Sequence, residues 1–167
     1  MSEVINRAVN HLGLSVPDLD AALGWYQEVL GFHLLTPPTE MRADDPGLGD
    51  ALTAMLGPSV RRFRMAHLTA GNGVGLQIFE FIDPAGESNV SGETPWHGGF
   101  THLCVTAPDI EALAQQIAER GGRSSAVFRS IPGRPYAAAY CNDPWGNVIE
   151  INSHGYVETR TFLGAEE

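Results

Sequence analysis

The chain has 167 residues, of which 43% are hydrophobic and 18% charged, a balance typical of one well-buried domain or of two small halves that share a core. The formal net charge of −10, from 20 acidic and 10 basic residues, makes the chain a poor nucleic-acid binder. Every basic residue is an arginine, which excludes lysine Schiff-base chemistry. The sequence has no long apolar run, no signal-like start and two cysteines, so we expect a cytoplasmic protein with no membrane partner and no disulfide framework.

In chain order, the first predicted element is a strand over residues 11–16, because apolar and polar residues alternate in His-Leu-Gly-Leu-Ser-Val. Pro17 and Asp18 end this strand, and Asp18 is a favoured N-cap for a helix predicted over 19–30, which a glycine closes. Further strands are expected at residues 32–37, 61–70 and 73–81. The surplus residues 41–59 predict a loop with a short helix that lies over one edge of the sheet and shapes specificity as a lid.

The second half repeats this pattern. A strand over 102–107 (His-Leu-Cys-Val-Thr-Ala) leads through Pro108 and Asp109 into a helix over 110–120, which a glycine again closes. Strands are expected next at residues 122–130, 136–142 and 145–153. At one constant offset the halves share the pairs His11/His102, Leu12/Leu103, Pro17/Pro108, Asp18/Asp109, Ala21/Ala112 and Gly31/Gly122. Such self-similarity indicates a duplicated structural module.

The duplication predicts the fold class. We expect an α+β protein in which two tandem β-α-β-β-β modules, over 8–92 and 98–155, form one cupped mixed sheet with the helices on its outside. Residues 93–99 (Glu-Thr-Pro-Trp-His-Gly-Gly) are rich in turn formers and predict the linker between the modules. Residues 156–167 are left as a C-terminal tail.

The modules, the strand-opening histidines and the run Asp-Pro-Trp-Gly-Asn-Val-Ile-Glu-Ile (143–151) resemble the vicinal oxygen chelate superfamily over residues 8–155. That superfamily includes glyoxalase I, methylmalonyl-CoA epimerase, extradiol dioxygenases, and the fosfomycin and bleomycin resistance proteins. The resemblance implies one divalent metal ion in the cup. The pattern allows a cup within one chain or across two chains, and we expect a homodimer.

The resemblance also implies ligands on the first and last strand of each module. His11 and His102 fill the opening positions, and Glu150 fills one closing position. For the fourth position both Gln77 and Glu80 are in range. Strand alternation favours Gln77, because Glu80 shares its face with the aliphatic residues that should pack against the helix. We therefore expect His11, Gln77, His102 and Glu150 as the ligands.

This ligand set has consequences for the metal. Two neutral imidazoles, one amide oxygen and one carboxylate leave a divalent ion with a net charge of about +1, which suits Zn, Ni, Co, Mn or Fe(II). A carboxylate at position 77 would make the site neutral and a weaker Lewis acid. In the family that the chain resembles, glutamine at this position is found in epimerase-like members, whereas glutamate is more usual in glyoxalases.

Other residues are candidates for proton transfer and substrate binding. Glu150, which can leave the metal transiently as its family counterpart does, is the expected base, and His154 has the same strand parity as Glu150. Arg134 and Tyr136 are candidates for binding a substrate carboxylate or phosphate at the mouth of the cup. His67 is expected at the surface or behind the ligands.

Three functions stay open at this point. The first is a glyoxalase- or epimerase-type lyase or isomerase, in which a small substrate chelates the metal through vicinal oxygens and a proton moves at the carbon next to a carbonyl. The second is an iron-dependent extradiol-type dioxygenase that uses His11, His102 and Glu150; it also needs a histidine or tyrosine to deprotonate the substrate, and none is assigned. The third is a metal-free drug-binding protein.

Overall fold

The computed structural model describes residues 5–86 and 99–161, and the chain divides into two compact units, Met1–Glu87 and Ser88–Glu167. The predicted mixed α+β class is confirmed: within the described residues there are four helices and two sheets, one of four strands and one of five. Of the predicted linker 93–99, only Gly99 lies among the described residues. No helix in the described ranges is long and apolar enough to cross a membrane.

The first unit has the order β-α-β-α-β-β. Its elements are β1 (His11–Ser15), α1 (Leu19–Leu30), β2 (His33–Arg42), α2 (Gly49–Leu56), β3 (Arg62–Thr69) and β4 (Gly75–Asp83). The strands lie in the order β1-β4-β3-β2, with β1 parallel to β4 and the other neighbours antiparallel. The short helix predicted in the insert is α2, whose Leu52 is fully buried, and β2 extends further into the insert than expected.

Helix α1 begins and ends where the sequence predicts. The Asp18 carboxylate accepts a hydrogen bond from the backbone N–H of Ala21, and Gly31 follows the helix in the left-handed conformation with φ 67°. Leu76 and Ile78 of β4 are buried on the side of the sheet that α1 covers. This packing defines two faces of the first sheet: a helix face and an open face on the opposite side.

The second unit repeats the topology with shorter strands. Its elements are β5 (Leu103–Thr106), α3 (Ile110–Glu119), β6 (Arg123–Ser124), β7 (Phe128–Arg129), β8 (Ala137–Asn142), β9 (Val148–Asn152) and α4 (Tyr156–Thr161). The order is β5-β9-β8-β6, with β7 also paired to β8, and β5 is parallel to β9. Ile149 and Ile151 are fully buried on the helix face, so the alternate residues of β9 lie on the open face.

Three details differ from the sequence-based expectation. The strand predicted over 122–130 is divided into β6 and β7, because the Ser125 hydroxyl accepts the Tyr140 N–H in place of a backbone carbonyl and interrupts regular pairing. The left-handed glycine after α3 is Gly121, with φ 85°, whereas a Cβ on Gly122 would lie 2.4 Å from the Asn142 carbonyl oxygen. The predicted tail contains helix α4.

Candidate functional site

The two predicted ligands of the first unit share the open face of its sheet. His11 pairs with Gly75 and Gly13 pairs with Gln77 across the parallel strands β1 and β4, so His11 and Gln77 alternate with the buried Leu76. We refer to His11 and Gln77 as the first pair. The two residues are two positions apart in this register. The residue between them, Leu76, lies on the opposite, aliphatic face of the sheet.

His11 is held by its neighbours in an orientation that suits a metal ligand. Its Nδ1 lies 2.7 Å from Oδ1 of Asn10, and because an amide oxygen only accepts, Nδ1 carries the proton and Nε2 keeps its lone pair. Gly75 provides space beside the ring, since a Cβ there would lie 2.9 Å from the His11 Cβ. A histidine that donates one ring N–H to an oxygen and presents the other nitrogen is the usual arrangement at metal centres.

Gln77 makes its contact on the other side, with His67 of β3. The two residues lie directly opposite each other in the antiparallel register, and Nε2 of Gln77 is 3.1 Å from Nε2 of His67. Sequence reasoning assigned no partner to Gln77, because cross-strand register is not visible in a single strand pattern.

Glu80, the alternative fourth ligand, is engaged on the helix face. Its carboxylate accepts a hydrogen bond from Nη1 of Arg64 at 2.9 Å, and the same guanidinium binds Asp20 of helix α1. This ion network explains why a glutamate lies among aliphatic residues. It also agrees with the strand alternation that favours Gln77 over Glu80.

The two predicted ligands of the second unit are in direct contact. His102 immediately precedes β5 and Glu150 lies in β9, and Nε2 of His102 is 2.9 Å from Oε2 of Glu150. The Nδ1 atom of His102 is 2.8 Å from the hydroxyl of Thr101. Because a carboxylate oxygen only accepts, Nε2 of His102 is the donor to Glu150. His102 thus resembles His11 in having Nδ1 bonded to the preceding side chain, but its Nε2 is already bound to Glu150. We refer to His102 and Glu150 as the second pair.

Tyr140 is a further residue at the second pair, and sequence reasoning missed it. It lies opposite Glu150 in the β8–β9 register and edge-on to His102, with ring centroids 5.6 Å apart. Burial and the negative charge of Glu150, to which the phenol is hydrogen-bonded, raise the pKa of Tyr140. The Phe128 ring stacks parallel to Tyr140 at 6.3 Å. Alternation within β8 was the available signal, because the buried Cys141 marks its helix face.

Cys104 also lies on this open face, opposite Glu150 in the parallel register of β5 and β9. Its sulfur accepts a hydrogen bond from Nδ2 of Asn152 at 3.0 Å, and burial raises the pKa of the thiol. Cys104 therefore packs beside the second pair, with its sulfur bound to Asn152.

The remaining predicted site residues lie after β9 and in the turn before β8. Nδ1 of His154 is 2.6 Å from the Ser153 hydroxyl, and the His154 ring packs edge-on against Tyr136 with centroids 4.9 Å apart. Tyr136 is buried, whereas Arg134 is exposed and its N–H donates to the Ile131 carbonyl. The structure thus brings His154 and Tyr136 together.

The sequence profile of the Glyoxalase/Bleomycin resistance protein/Dioxygenase superfamily matches residues 8–151, which is most of the chain. The chain belongs to this superfamily. The predicted family is therefore confirmed.

Relatives and solved structures extend this finding. The chain is 30% identical to a 2-epi-5-epi-valiolone epimerase from Actinomyces sp, over 86% of this chain and 78% of that protein. It is 28% identical to an ethylmalonyl-CoA/methylmalonyl-CoA epimerase from Cereibacter sphaeroides, over 86% and 95% of the two chains. A glyoxalase family protein from Bacillus cereus has the same fold, with a TM-score of 0.72 at 16% identity over 91% of this chain and 97% of that one. The fosfomycin resistance protein FosX from Listeria monocytogenes, whose structure contains Mn(II), gives 0.61 at 12% identity over 96% and 99%.

Each unit, considered by itself, carries two side chains whose donor types suit a divalent metal ion. Each pair offers two donors of the kinds that bind zinc and its neighbours in the transition series, imidazole nitrogen and carbonyl or carboxylate oxygen. In both histidines the preceding side chain binds Nδ1, and Nε2 of His102 also contacts Glu150. Within the described residues, no three His, Cys, Asp or Glu side chains are grouped so that they would hold a metal ion.

Proposed function

We propose that the protein is a metal-dependent epimerase or related isomerase that moves a proton at the carbon next to a carbonyl in a small substrate with vicinal oxygens. His11, Gln77, His102 and Glu150 would together hold one divalent ion, either within one chain or across a homodimer. The names of the two curated relatives, both epimerases, support the isomerase over the lyase.

The observation that carries the proposal is the matched orientation of the two histidines. In both units the residue before the histidine binds Nδ1, at 2.7 Å in one and 2.8 Å in the other, so that Nε2 is the nitrogen left for a further partner, which for His102 is Glu150. A ring that is fixed through Nδ1 is already oriented to bind a cation through Nε2, and at His102 the cation would replace the Nε2 proton that Glu150 accepts. A role in packing alone does not require the preceding residue to bind the same ring nitrogen twice.

Glu150 is the proposed base. His102 holds one of its oxygens at 2.9 Å, and the phenol of Tyr140 donates to the same carboxylate. These contacts fix the side chain while leaving oxygen lone pairs for a substrate proton. A bound divalent cation would supply Lewis acidity, which stabilises the negative charge that develops on the substrate oxygen.

The other candidates keep secondary roles in this proposal. His154, bound to Ser153 and packed on Tyr136, is the proposed second proton carrier. Arg134, exposed in the turn before β8, is the proposed contact for an anionic substrate group, and Tyr136 would support that turn from its buried position. The lid role of residues 41–59, the homodimer and the cytoplasmic location stay predictions.

Tyr140 favours one alternative, an extradiol-type dioxygenase. The sequence assigned no residue that would deprotonate a catechol, and a phenol beside the second pair fills that position. The phenol is already hydrogen-bonded to Glu150, however, and this contact assigns it to the support of that carboxylate.

One experiment separates these functions. The purified chain, loaded in turn with Zn, Ni, Co, Mn or Fe(II), is incubated in deuterated water with a 2-methyl-branched acyl thioester or an α-hydroxy ketone, and with catechol in a parallel oxygen electrode. The epimerase predicts deuterium at the α-carbon with at least one metal, and loss of this exchange in His11→Ala and in Glu150→Gln. Oxygen uptake without exchange would replace the proposal by the dioxygenase, and metal-independent exchange would refute the proposed site.

A further inference from the structure

Beside the first pair, His67 and Gln77 contact each other through two nitrogen atoms. Nε2 of Gln77 lies 3.1 Å from Nε2 of His67, a hydrogen-bond distance. The amide nitrogen of glutamine only donates, so the histidine nitrogen must accept. The contact therefore requires Nε2 of His67 to be unprotonated, which places the ring proton on Nδ1.

In the described part of the chain, the other ring nitrogen of His67, Nδ1, has no neighbour that would select this tautomer. Nδ1 of His67 is buried, and it has no hydrogen-bond partner among the described residues. A buried N–H without an acceptor is unfavourable, and folded proteins rarely retain one without a reason. Among the described residues, the hydrogen bond recorded for this ring is that of Nε2 with Gln77.

That bond fixes which end of the Gln77 amide is presented. Because the NH₂ group is the end of the amide that contacts His67, the carbonyl oxygen is the end left for another partner. Rotation of the amide by half a turn would instead present NH₂, which cannot bind a cation. Glutamine, unlike glutamate, needs a neighbour that makes this choice.

We propose that His67 is a positioning residue that holds the Gln77 amide with its oxygen outward, as the donor for a divalent cation. This rests on the proposed metal site and adds to it a residue that acts through Gln77. The role differs from that of His11 and His102, whose Nε2 atoms are themselves the proposed metal-binding atoms.

The test compares His67→Phe, which keeps a ring and removes the acceptor, with His67→Gln, whose side-chain oxygen can accept at a similar reach. Zn(II) affinity of the whole chain is measured by calorimetric titration. We expect His67→Phe to weaken binding about 10- to 100-fold, the usual effect of losing a group that orients a ligand, and His67→Gln to recover most of that loss. Equal weakening in both variants would overturn the proposal.

A second background separates positioning from a general structural role. In the Gln77→Glu background both terminal atoms are oxygen, so orientation no longer matters, and His67→Phe should change Zn(II) affinity less than about threefold. A loss as large as in the native background would contradict the proposal. Gln77→Ala is the control for the site itself: if it leaves Zn(II) affinity unchanged, the proposed ligand set fails, whereas a loss with Gln77→Ala but none with His67→Phe refutes the positioning role alone.

The tautomer gives a readout that needs neither metal nor variant. Nitrogen-15 spectra of the wild-type chain, labelled at histidine, should show His67 as the Nδ1–H form. Detection of the Nε2–H form would overturn the proposal even if His67→Phe fails to fold.

Discussion

The two units use the same strand order but prepare their donors differently. In the second unit, an imidazole and a carboxylate of the proposed ligand set, His102 and Glu150, contact each other at 2.9 Å. In the first unit, His11 and Gln77 bind other residues, Asn10 and His67, and neither member of the pair is a carboxylate. A duplicated scaffold thus conserves where side chains point, while neighbouring residues determine which atoms remain available.

Because of this difference, we expect the two units to contribute differently to the proposed reaction. The second pair holds the only carboxylate of the proposed ligand set, together with the phenol of Tyr140, and it is where a base is expected. The first pair has no carboxylate, so we expect it to help hold the metal ion without adding negative charge. Variants in the second unit should therefore reduce turnover most, whereas variants in the first unit should mainly affect metal affinity.

The largest effect is expected for Glu150→Gln. The amide keeps the shape of the side chain but removes the charge and the basic oxygen, and loss of a general base costs about 100-fold to 10,000-fold in rate. Deuterium exchange at the substrate α-carbon measures the effect, with circular dichroism as the check on folding. Retention of more than a tenth of the wild-type exchange rate would contradict the assignment of Glu150 as base.

Gly75→Ala tests how the first unit holds His11. A Cβ at this position would lie 2.9 Å from the His11 Cβ, so the strand or the histidine must shift. We expect Zn(II) affinity to fall about 10-fold or more, as for other residues that orient a ligand. The matched control is Gly24→Ala in helix α1, where a Cβ meets no atom within 4 Å. That substitution should keep Zn(II) affinity and raise the free energy of unfolding by about 0.5–1 kcal/mol.

Tyr140→Phe tests the support of Glu150 in the second unit. Loss of one hydrogen bond to a charged group should slow exchange about tenfold while leaving the stack on Phe128 intact. Because the pKa of Tyr140 is raised above its ordinary value of 10, the phenol keeps its proton across neutral pH. The ratio of wild-type to variant rates should therefore stay constant from about pH 6 to about pH 9; a ratio that falls within this range would show that the phenol titrates there.

The smallest effect is expected at β2, the edge strand of the first sheet. This strand is longer than β6, the corresponding edge strand of the second sheet. Glu40 in β2 is bound by Arg62 and Arg42, and these hydrogen bonds lower the pKa of Glu40 from 4.5 to about 2. A lowered folded-state pKa gives stability that is present above pH 4.5 and is lost as the pH falls through about 2. Glu40→Gln should thus lower the stability of the protein slightly at neutral pH. The difference between the thermal unfolding temperatures of wild type and variant should become smaller as the pH falls below 4.5. A difference independent of pH would contradict this.

Local sequence patterns predicted what depends on neighbours along the chain. The Asp18 cap, the helix after it and the face on which Gln77 lies all follow from spacing within one element. The contacts of Gln77 with His67 and of Glu150 with Tyr140 were not predicted, because they depend on which residue of an antiparallel neighbour lies opposite. The break at Ser125 was missed for the same reason.

An anomalous-scattering map from crystals grown with Zn(II) tests the central claim most directly. That claim is that the four donors bind one ion, irrespective of whether they come from one chain or from two copies. The account predicts a single strong peak with Nε2 of His11 and of His102 at about 2.0–2.1 Å, and with oxygens of Gln77 and Glu150 at about 2.0–2.2 Å. A peak bound by other residues, or no peak near either pair at saturating Zn(II), would contradict it.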